Sequence, residues 1–240
     1  MNGDSGGTVN RYKLNMNMEI IHGTIKMTGF SWERFENMPI VGIVRGIGME
    51  DFKHILPIYV QAGLTTVEVT MNTFDVESLI RYAVEEYSGI LNVGAGTVCN
   101  TDDLDRALDF GAQFIVTPLI NEMVINTCVD KNIVIFPGAL TPTEIYRAWS
   151  LGANVVKVFP AGYMEASYLR EIKAPLNNVK LLPTGGISLH NMQSFLDVGV
   201  EGFGIGSPLF DKELIKSKDW KGLGKHFESY VRLIENFRER

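Results

Sequence analysis

The sequence predicts an α/β fold, a single (β/α)8 TIM barrel, on three observations. Short runs rich in β-branched residues alternate with longer segments of helical period, which is typical of parallel βα units. The runs number eight, and their starts lie 20 to 25 residues apart. The chain of 240 residues also suits one barrel domain, which takes about 250 residues.

The eight predicted strands follow one another from residue 40 onward. They are residues 40–45, 65–70, 90–96, 113–118, 133–138, 154–160, 179–186 and 202–207. An open doubly wound sheet is the alternative, but that fold commonly carries a GxGxxG turn after its first strand. The first strand here runs into Arg45-Gly46-Ile47-Gly48-Met49, which does not complete the motif. The closed barrel is therefore preferred.

Helices are predicted between the strands, and two of them carry clear signals at both ends. In TDDLDRALDFGA, Thr101 is the expected N-cap, acidic residues fill the first turn and Gly111 ends the helix. In TPTEIYRAWSLGA, Thr141 precedes Pro142 at the first helical position, and Gly152 closes the far end. Such helices would pack on the outside of the barrel.

The chain before the first strand predicts a short helix preceded by a flexible tail. The helix is SWERFENM, residues 31–38, and its Trp32, Phe35 and Met38 are expected to cover the bottom of the barrel. Residues 1–27 are rich in Gly, Asn, Ser and Asp, so the predicted division is a tail of 1–27 and one barrel domain of 28–240. No apolar run has the length of a signal peptide or a membrane span, so neither export nor a membrane partner is expected.

Composition excludes several classes of function. The formal net charge is −6 and no block of Lys and Arg occurs, so a nucleic-acid partner is not expected. The two cysteines, Cys99 and Cys128, lie far apart without zinc-ligand spacing, which favours a reduced cytoplasmic compartment. The four histidines lie in the tail or in predicted helical segments, so a metal site at the strand ends is not expected either.

A lysine in an apolar strand is the first candidate for chemistry. Alternation in NVVKVFP turns Val155, Lys157 and Phe159 inward and the intervening valines toward the helices. Catalytic groups of such barrels lie at the C-terminal ends of the strands, where Lys157 would stand. Desolvation would lower the pKa of its amine and make it a nucleophile. A structural ion pair is the alternative for a lysine placed there.

The second strand provides a partner for that lysine. In TTVEVT, alternation places Glu68 on the same inward face as Thr66 and Thr70. A neutral amine can attack a ketone, and the resulting protonated imine draws electrons from a neighbouring carbon–carbon bond. Glu68 can move the protons that this reaction requires, directly or through water.

Other strand ends are expected to bind anions. Arg45 and Pro118 close the first and fourth predicted strands, Thr97 follows the third, and the fork of Arg45 suits a carboxylate. The last two strands end in glycine-rich turns that suit a phosphate, together with the N-terminus of a short extra helix. The predicted phosphate ligands are Gly185, Gly186, Gly206 and Ser207.

Four motifs, in this order, resemble the 2-keto-3-deoxy-6-phosphogluconate (KDPG) and 4-hydroxy-2-oxoglutarate aldolase family. They are GluValThr (68–70), GlyAlaGlyThrVal (94–98), ValLysValPheProAla (156–161) and ProThrGlyGlyIle (183–187), and the resemblance spans roughly residues 39–210. It implies a homotrimeric class I aldolase that cleaves KDPG to pyruvate and glyceraldehyde 3-phosphate without a metal or other cofactor. It implies that Lys157 forms the Schiff base, that Glu68 is the acid/base and that Thr97 holds the pyruvate carboxylate.

The resemblance leaves the configuration of the sugar open, and Asn72, Phe159 and Thr184 are the expected specificity residues. Gluconate-specific members usually carry Leu-Arg-Thr after GluValThr, whereas this chain has Met71-Asn72-Thr73. Arg45-Gly46 and Asn72 are instead similar to the sister enzymes for 2-keto-3-deoxy-6-phosphogalactonate, but those tend to lack the threonine at Thr184. Cleavage of 4-hydroxy-2-oxoglutarate is a further possibility.

Two other classes of function remain as alternatives. A phosphate-binding isomerase or epimerase barrel would use the same glycine turns and a carboxylate base, but it gives no reason for an inward Lys157. A catalytically silent scaffold would not require Lys157, Glu68 and Thr97 together.

Overall fold

The computed structural model describes residues 20–21, 24–25 and 29–240. Most of the predicted tail therefore lies outside the described residues. Within it, Ile20–Ile21 and Thr24–Ile25 pair as two short antiparallel strands. The remaining strands are β1 (Ile40–Val44), β2 (Thr66–Thr70), β3 (Asn92–Gly96), β4 (Phe114–Val116), β5 (Val134–Phe136), β6 (Gly138–Ala139), β7 (Val156–Val158), β8 (Leu181–Pro183) and β9 (Phe203–Ile205).

These strands form a curled parallel sheet in two hydrogen-bonded parts, as an α/β fold requires. One part has the order β9-β1-β2-β3-β4-β5, and the other has the order β8-β7-β6. β5 and β6 are two halves of one predicted strand, interrupted at Pro137, which has no backbone N–H to donate. An isolated parallel bridge between Thr184 and Gly204 joins the residue after β8 to the middle of β9.

Helices follow the strands and cover the outside of the sheet. They are α1 (Trp32–Asn37), α2 (Met49–Gln61), α3 (Val76–Tyr87), α4 (Thr101–Asp109), α5 (Glu122–Asp130), α6 (Pro142–Ser150), α7 (Glu165–Lys173), α8 (Met192–Leu196), α9 (Lys212–Lys216) and α10 (Trp220–Arg238). No helix in the described part of the chain has both the length and the apolar character that a membrane crossing demands.

The predicted helix ends are confirmed except for one cap. Thr141 caps α6 in a capping box with Glu144. The cap of α4 is Asn100 rather than Thr101, because the Asn100 side chain accepts a hydrogen bond from the Asp103 N–H and Thr101 is already helical. Asn and Thr are both good N-caps, so the pair of adjacent candidates could not be separated by residue type.

The buried apolar residues form two clusters on opposite faces of the sheet. The larger one packs the helices against the outward faces of the strands. The smaller one lies on the inward face and consists of Phe35, Val41, Phe114, Val116, Phe136, Val155 and Leu182, with Phe30, Trp32 and Val134 packed against it. Phe35 of α1 thus covers this inner cluster as predicted, and Trp32 does so in part. Met38 does not, since it packs into the outer cluster instead.

Two hydrogen bonds fix α1 to the sheet. Ser31 N–H donates to the Asn92 side chain at 2.8 Å, and that side chain donates back to Ser31 O at 2.9 Å. Ser31 also caps α1 by accepting from Arg34 N–H. Because Asn92 begins β3, this contact holds the aromatic residues of α1 and Phe30 at the amino ends of the strands.

Candidate active site

The predicted site residues lie where the parallel strands end. The strands are shorter than predicted, and Arg45, Thr97, Phe159, Thr184 and Gly206 are each the first residue beyond a strand. Carboxyl ends of parallel strands meet at one edge of the sheet, which is where α/β proteins bind ligands. The structure therefore gathers these residues at one end of the sheet.

Lys157 is buried in the middle of β7. Its side chain is 5% exposed, and its Nζ lies 5.1 Å from the centre of the Phe159 ring. Val156 and Val158 belong to the outer cluster and Val155 to the inner one, so the predicted alternation is confirmed. Burial lowers the pKa of the Lys157 amine, with Glu68 acting to raise it and Arg45 acting in the same direction as burial.

Glu68 faces the same interior from β2. Its side chain is 1% exposed, and its Oε2 has no hydrogen-bond partner among the described residues. Burial raises the pKa of this carboxyl, while the charges of Lys157 and Arg45 act to lower it. Glu68, Lys157 and Thr184 line one narrow interior space. Both shifts favour the uncharged forms, an amine with a free lone pair and a carboxylic acid with a proton to give.

Arg45 and Thr97 meet at the mouth of this space. An Arg45 guanidinium N–H donates to Thr97 Oγ1 at 3.2 Å. Thr97 has φ 59°, which is uncommon for a β-branched residue and stores strain of about 1–3 kcal/mol. The mouth of the interior space is therefore polar and suits an anion, because it carries the exposed guanidinium of Arg45 and the half-buried hydroxyl of Thr97 on a strained backbone.

A pair of threonines holds the turn that carries Arg45. Gly46 has φ 67°, and its N–H donates to Thr73 Oγ1 at 3.2 Å. Thr73 Oγ1 in turn lies 2.9 Å from Thr70 Oγ1, and both residues are buried. The turn after β1 is thereby fastened to the turn after β2. Nothing in the sequence pattern predicted this contact.

Pro118 and Asn72 border the site in different ways. Pro118 is half-buried. Its carbonyl oxygen would lie 2.5 Å from a Cβ built on Gly138, so the two residues are in close contact. Gly138 is the β6 neighbour of Lys157, so Pro118 stands near the amine. Asn72 lies exposed in the turn after β2, and its side chain forms no hydrogen bond within the described part of the chain.

The glycine turn after β8 packs against the segment after β7. Gly185 and Gly186 have φ of 82° and 77°, a backbone conformation that only glycine adopts readily. Gly162 N–H donates to Gly185 O at 2.7 Å, and a Cβ on Gly162 would lie 2.6 Å from Gly186 Cα. Gly185 also lies against the Phe159 ring. The Phe159–Pro160 peptide bond within this segment is cis.

The turn after β9 differs from the prediction of a short extra helix. Gly206 O accepts from the N–H groups of Leu209 and Phe210, which closes a single turn. The next helix, α9, starts later because Asp211 caps it by accepting from Glu213 and Leu214 N–H. Ser207 lies exposed on the turn. The backbone amides of Gly185, Gly186 and Ser207 donate to no other backbone group of the described chain.

None of the three histidines in the described part of the chain lies in a strand or directly follows one, and His22 lies outside the described residues. His54 is in α2, stacked on Trp220, and His226 is in α10 with its Nε2 2.8 Å from Pro208 O. His190 lies in the turn before α8 rather than in a helix.

Residues 32–226 match the family model described as KDPG and KHG aldolase. The chain belongs to this aldolase family. It is 32% identical over 174 residues to 2-dehydro-3-deoxy-6-phosphogalactonate aldolase of Escherichia coli K12, covering 72% of this chain and 85% of that one. It is 29% identical over 208 residues to 2-dehydro-3-deoxy-phosphogluconate aldolase of Haemophilus influenzae, covering 85% and 96%.

A solved structure named native KDPGal is also similar to this aldolase. The TM-score is 0.80 at 26% sequence identity, and the match covers 89% of this chain and all of the other. The predicted family resemblance is confirmed by these findings.

Three features of this aldolase were not predicted from its sequence. They are the hydroxyl pair of Thr70 and Thr73, the packing of Gly162 on the Gly185-Gly186 turn, and Cys99 near the amine. The Cys99 thiol is half-buried, and burial raises its pKa, Asp103 raises it further and Lys157 lowers it. Of these three features, only the packing of Gly162 on the Gly185-Gly186 turn had a sequence signal, namely the glycines themselves. Those glycines did not indicate that the two segments contact each other.

Proposed function

We propose that this chain is a class I aldolase that cleaves KDPG to pyruvate and glyceraldehyde 3-phosphate through a Schiff base on Lys157. The observation that carries the proposal is the buried Lys157 amine facing the buried Glu68 carboxyl at the mouth of the sheet. An amine at ordinary pKa is protonated and cannot attack a carbonyl, whereas one with a lowered pKa can. The named activities of the relatives agree with this chemistry.

The first step forms the covalent intermediate. The neutral Lys157 amine attacks C2 of the keto acid and gives a carbinolamine. Glu68 in its protonated form, which burial favours by raising its pKa, gives its proton to the carbinolamine hydroxyl, which leaves as water. The protonated imine and the Glu68 carboxylate then stabilise one another inside the site.

The second step breaks the C3–C4 bond. The Glu68 carboxylate, directly or through water, takes the proton of the C4 hydroxyl. The C3–C4 electrons move into the protonated imine, which becomes an enamine, and glyceraldehyde 3-phosphate leaves. Glu68 returns its proton to C3, and water then hydrolyses the imine to release pyruvate and free Lys157.

The remaining residues bind the ends of the substrate. We assign the keto-acid carboxylate to Arg45 and Thr97, whose 3.2 Å contact brings a cation and a hydroxyl together. We assign Pro118 to the carboxylate end as well, where it has no N–H to donate and borders Gly138, the strand neighbour of Lys157. Phe159 covers the Lys157 amine from above the strand end. We assign the phosphate to Gly185, Gly186, Gly206 and Ser207, because the backbone amides of Gly185, Gly186 and Ser207 donate to no other backbone group of the described chain.

The galactonate configuration is the second candidate substrate. The structure supports it through Arg45, which contacts Thr97 while Asn72 lies exposed and uncharged. Thr184 supports the gluconate configuration, because the galactonate enzymes tend to lack this threonine and it lines the same interior space as Lys157 and Glu68. A panel of both sugar acids and 4-hydroxy-2-oxoglutarate, assayed on wild type and Asn72→Arg, distinguishes them. A gluconate enzyme should gain kcat/KM on KDPG from the added arginine, and a galactonate enzyme should not.

The activity is tested by following pyruvate release from KDPG with lactate dehydrogenase. Wild type should release pyruvate, and Lys157→Met should lose the activity while its circular dichroism stays that of a folded chain. Turnover of a sugar phosphate by Lys157→Met at the wild-type rate would instead favour isomerase or epimerase chemistry. A folded wild type that converts no sugar acid would favour a silent scaffold.

The proposal includes a closed (β/α)8 barrel over residues 28–240, preceded by a tail of residues 1–27. The Thr184–Gly204 bridge and the 2.9 Å bond from Glu201 N–H to Leu181 O support closure between β8 and β9. The inner apolar cluster supports it too, since its strand residues are buried on the face of the sheet opposite the outer cluster, with α1 covering them. Both cysteines are free thiols, which supports a cytoplasmic location.

We also propose a homotrimer. Exposed apolar side chains on and before two neighbouring helices support it, namely Leu119, Met123 of α5 and Tyr146 of α6. The bond from Arg147 to Glu122 at 2.7 Å joins these helices into one surface. Light scattering should give three times the chain mass for wild type and a smaller mass for Met123→Glu with Tyr146→Glu.

A further inference from the structure

Two glycines of β3 face the interior, and one of them lies directly against the carboxyl of Glu68. A Cβ built on Gly96 would lie 2.3 Å from Glu68 Oε1, 2.6 Å from Cδ and 3.2 Å from Oε2. The φ of Gly96 is outside the left-handed region, so an L-residue could adopt this backbone. Space, and not backbone conformation, is what demands glycine here.

We propose that Gly96 is a positioning residue for the aldol reaction. Its missing side chain leaves the place that the Glu68 carboxyl occupies beside the Lys157 amine. The proposal rests on the acid/base role proposed for Glu68. Gly96 itself touches neither the reacting atoms nor the substrate in this account, and it acts through the position of Glu68 alone.

The size of the effect follows from the distances. Ordinary contact begins at 3.4 Å, and the clash with Oε1 is at 2.3 Å, so an alanine would move the carboxyl by about 1 Å. A misplacement of about 1 Å can lower a rate about 100-fold. Glu68 is 1% exposed and cannot move toward solvent without leaving the interior. We therefore expect a loss of kcat and not only of stability.

A second inward glycine of β3 lies comparably close to a neighbouring side chain, which provides a matched control. A Cβ on Gly94, the other inward glycine of β3, would lie 2.5 Å from the Phe114 ring. Phe114 belongs to the inner apolar cluster below the site. Gly94→Ala thus creates the same kind of clash on the same strand, but against a side chain without chemistry.

The experiment is a pair of double-mutant cycles on the full chain. One compares wild type, Gly96→Ala, Glu68→Ala and the combination, and the other replaces Gly96→Ala by Gly94→Ala. Each protein is measured for Tm, for kcat and KM of sugar-acid cleavage, and for the pH dependence of kcat. Glu68→Ala removes the clashing carboxyl, so a Gly96 methyl should fit in that background.

Gly96→Ala is expected to lower kcat about 100-fold and to shift the pH profile in the wild-type background. In the Glu68→Ala background it should change neither kcat nor Tm. Gly94→Ala should lower Tm equally in both backgrounds and leave the shape of the pH profile unchanged. If Gly96→Ala does not fold while the double variant does, the proposed contact is supported.

An equal loss of kcat from Gly96→Ala in both backgrounds would overturn the proposal, and so would an unchanged kcat. Failure of the double variant to fold where Glu68→Ala folds would also overturn it. The double-mutant cycle measured by Tm requires no enzyme activity, so it remains informative if wild type proves not to cleave a sugar acid. That result would contradict the proposed function and with it the aldol role of Gly96, while the Tm cycle would still show whether a methyl group on Gly96 clashes with Glu68.

Discussion

Replacing Lys157 and Glu68 together by methionine should stabilise the chain while abolishing cleavage. Both side chains are almost fully buried, and burial shifts the pKa of each away from its charged form. Methionine is unbranched and of similar length, so it can fill either place without a hydroxyl, amide or charge. The double variant avoids leaving one partner alone, because a single buried charge without its partner is strongly destabilising.

Replacing a buried ionisable pair by apolar groups of similar volume is neutral or stabilises by about 1–4 kcal/mol. For a chain of this size each kcal/mol corresponds to a Tm change of about 2–4 °C. The gain depends on pH. The pKa of Glu68 is raised from 4.5, so wild type loses stability relative to the unfolded chain as the pH rises above that value.

The pKa of Lys157 is lowered from 10.5, so wild type also loses stability as the pH falls below that value. Between pH 4.5 and pH 10.5, wild type therefore carries the stability penalty of both buried groups. The gain of the double variant should therefore be largest near neutral pH and should shrink toward acid and toward alkali. A well-paired ion pair would give the opposite profile.

Urea unfolding of wild type and the double variant at about pH 5, 7 and 9.5 measures this profile directly. Single variants Lys157→Met and Glu68→Met serve as controls and should each be less stable than the double variant at pH about 7. A double variant that is less stable than wild type at neutral pH, with the deficit shrinking at both extremes, would refute the reasoning from burial.

Three further variants test the polar ends of the site. Thr97→Gly should retain or raise Tm, because glycine relieves the strain of the positive φ. It should also raise KM for pyruvate in the aldol direction, with Thr97→Ser as the control, and a lower KM would contradict the carboxylate assignment. Arg45→Met should raise the KM for pyruvate about tenfold or more, with a smaller change in kcat, because a charged hydrogen bond to the carboxylate is lost. Unchanged steady-state kinetics would exclude a contact between Arg45 and the carboxylate. Gly185→Ala should lower Tm by the strain at φ 82° and weaken inhibition by inorganic phosphate, and unaltered inhibition would place the phosphate elsewhere.

The orientation of the catalytic pair could be predicted from the sequence because a strand has only two faces. Once Val156 and Val158 are assigned to the helix-facing side, Lys157 must face inward, and the same argument fixes Glu68. The gathering of Arg45, Thr97 and Thr184 at one edge of the sheet followed from the rule that barrel sites lie at strand ends, although Arg45 and Thr184 were predicted inside strands that end one residue before each of them. These are statements about chain order and alternation, which a sequence contains.

Contacts between strands could not be predicted, because they depend on register and on side-chain volume. The hydrogen bond from Gly46 to Thr73 joins two turns that are far apart in the chain, and neither residue signals the other. The contact of Gly96 with Glu68 requires β2 and β3 to pair in the observed register, with Glu68 opposite Gly94. A glycine in a strand indicates a close approach but does not name the approaching group.

Two of the predictions that failed did so where two local signals compete. Asn100 and Thr101 are both capable caps, and the Asn100 side chain reaches Asp103 N–H. Met38 follows the helical spacing of Trp32 and Phe35, but α1 ends at Asn37, so Met38 turns away to the outer cluster.

The central claim is that Lys157 forms a Schiff base with the keto acid, and borohydride trapping tests it most directly. Wild type treated with pyruvate and sodium borohydride should gain the mass of one reduced pyruvate adduct, and peptide mapping should place it on Lys157. Lys157→Met should gain none. Absence of an adduct in wild type, or an adduct that persists in Lys157→Met, would contradict the account.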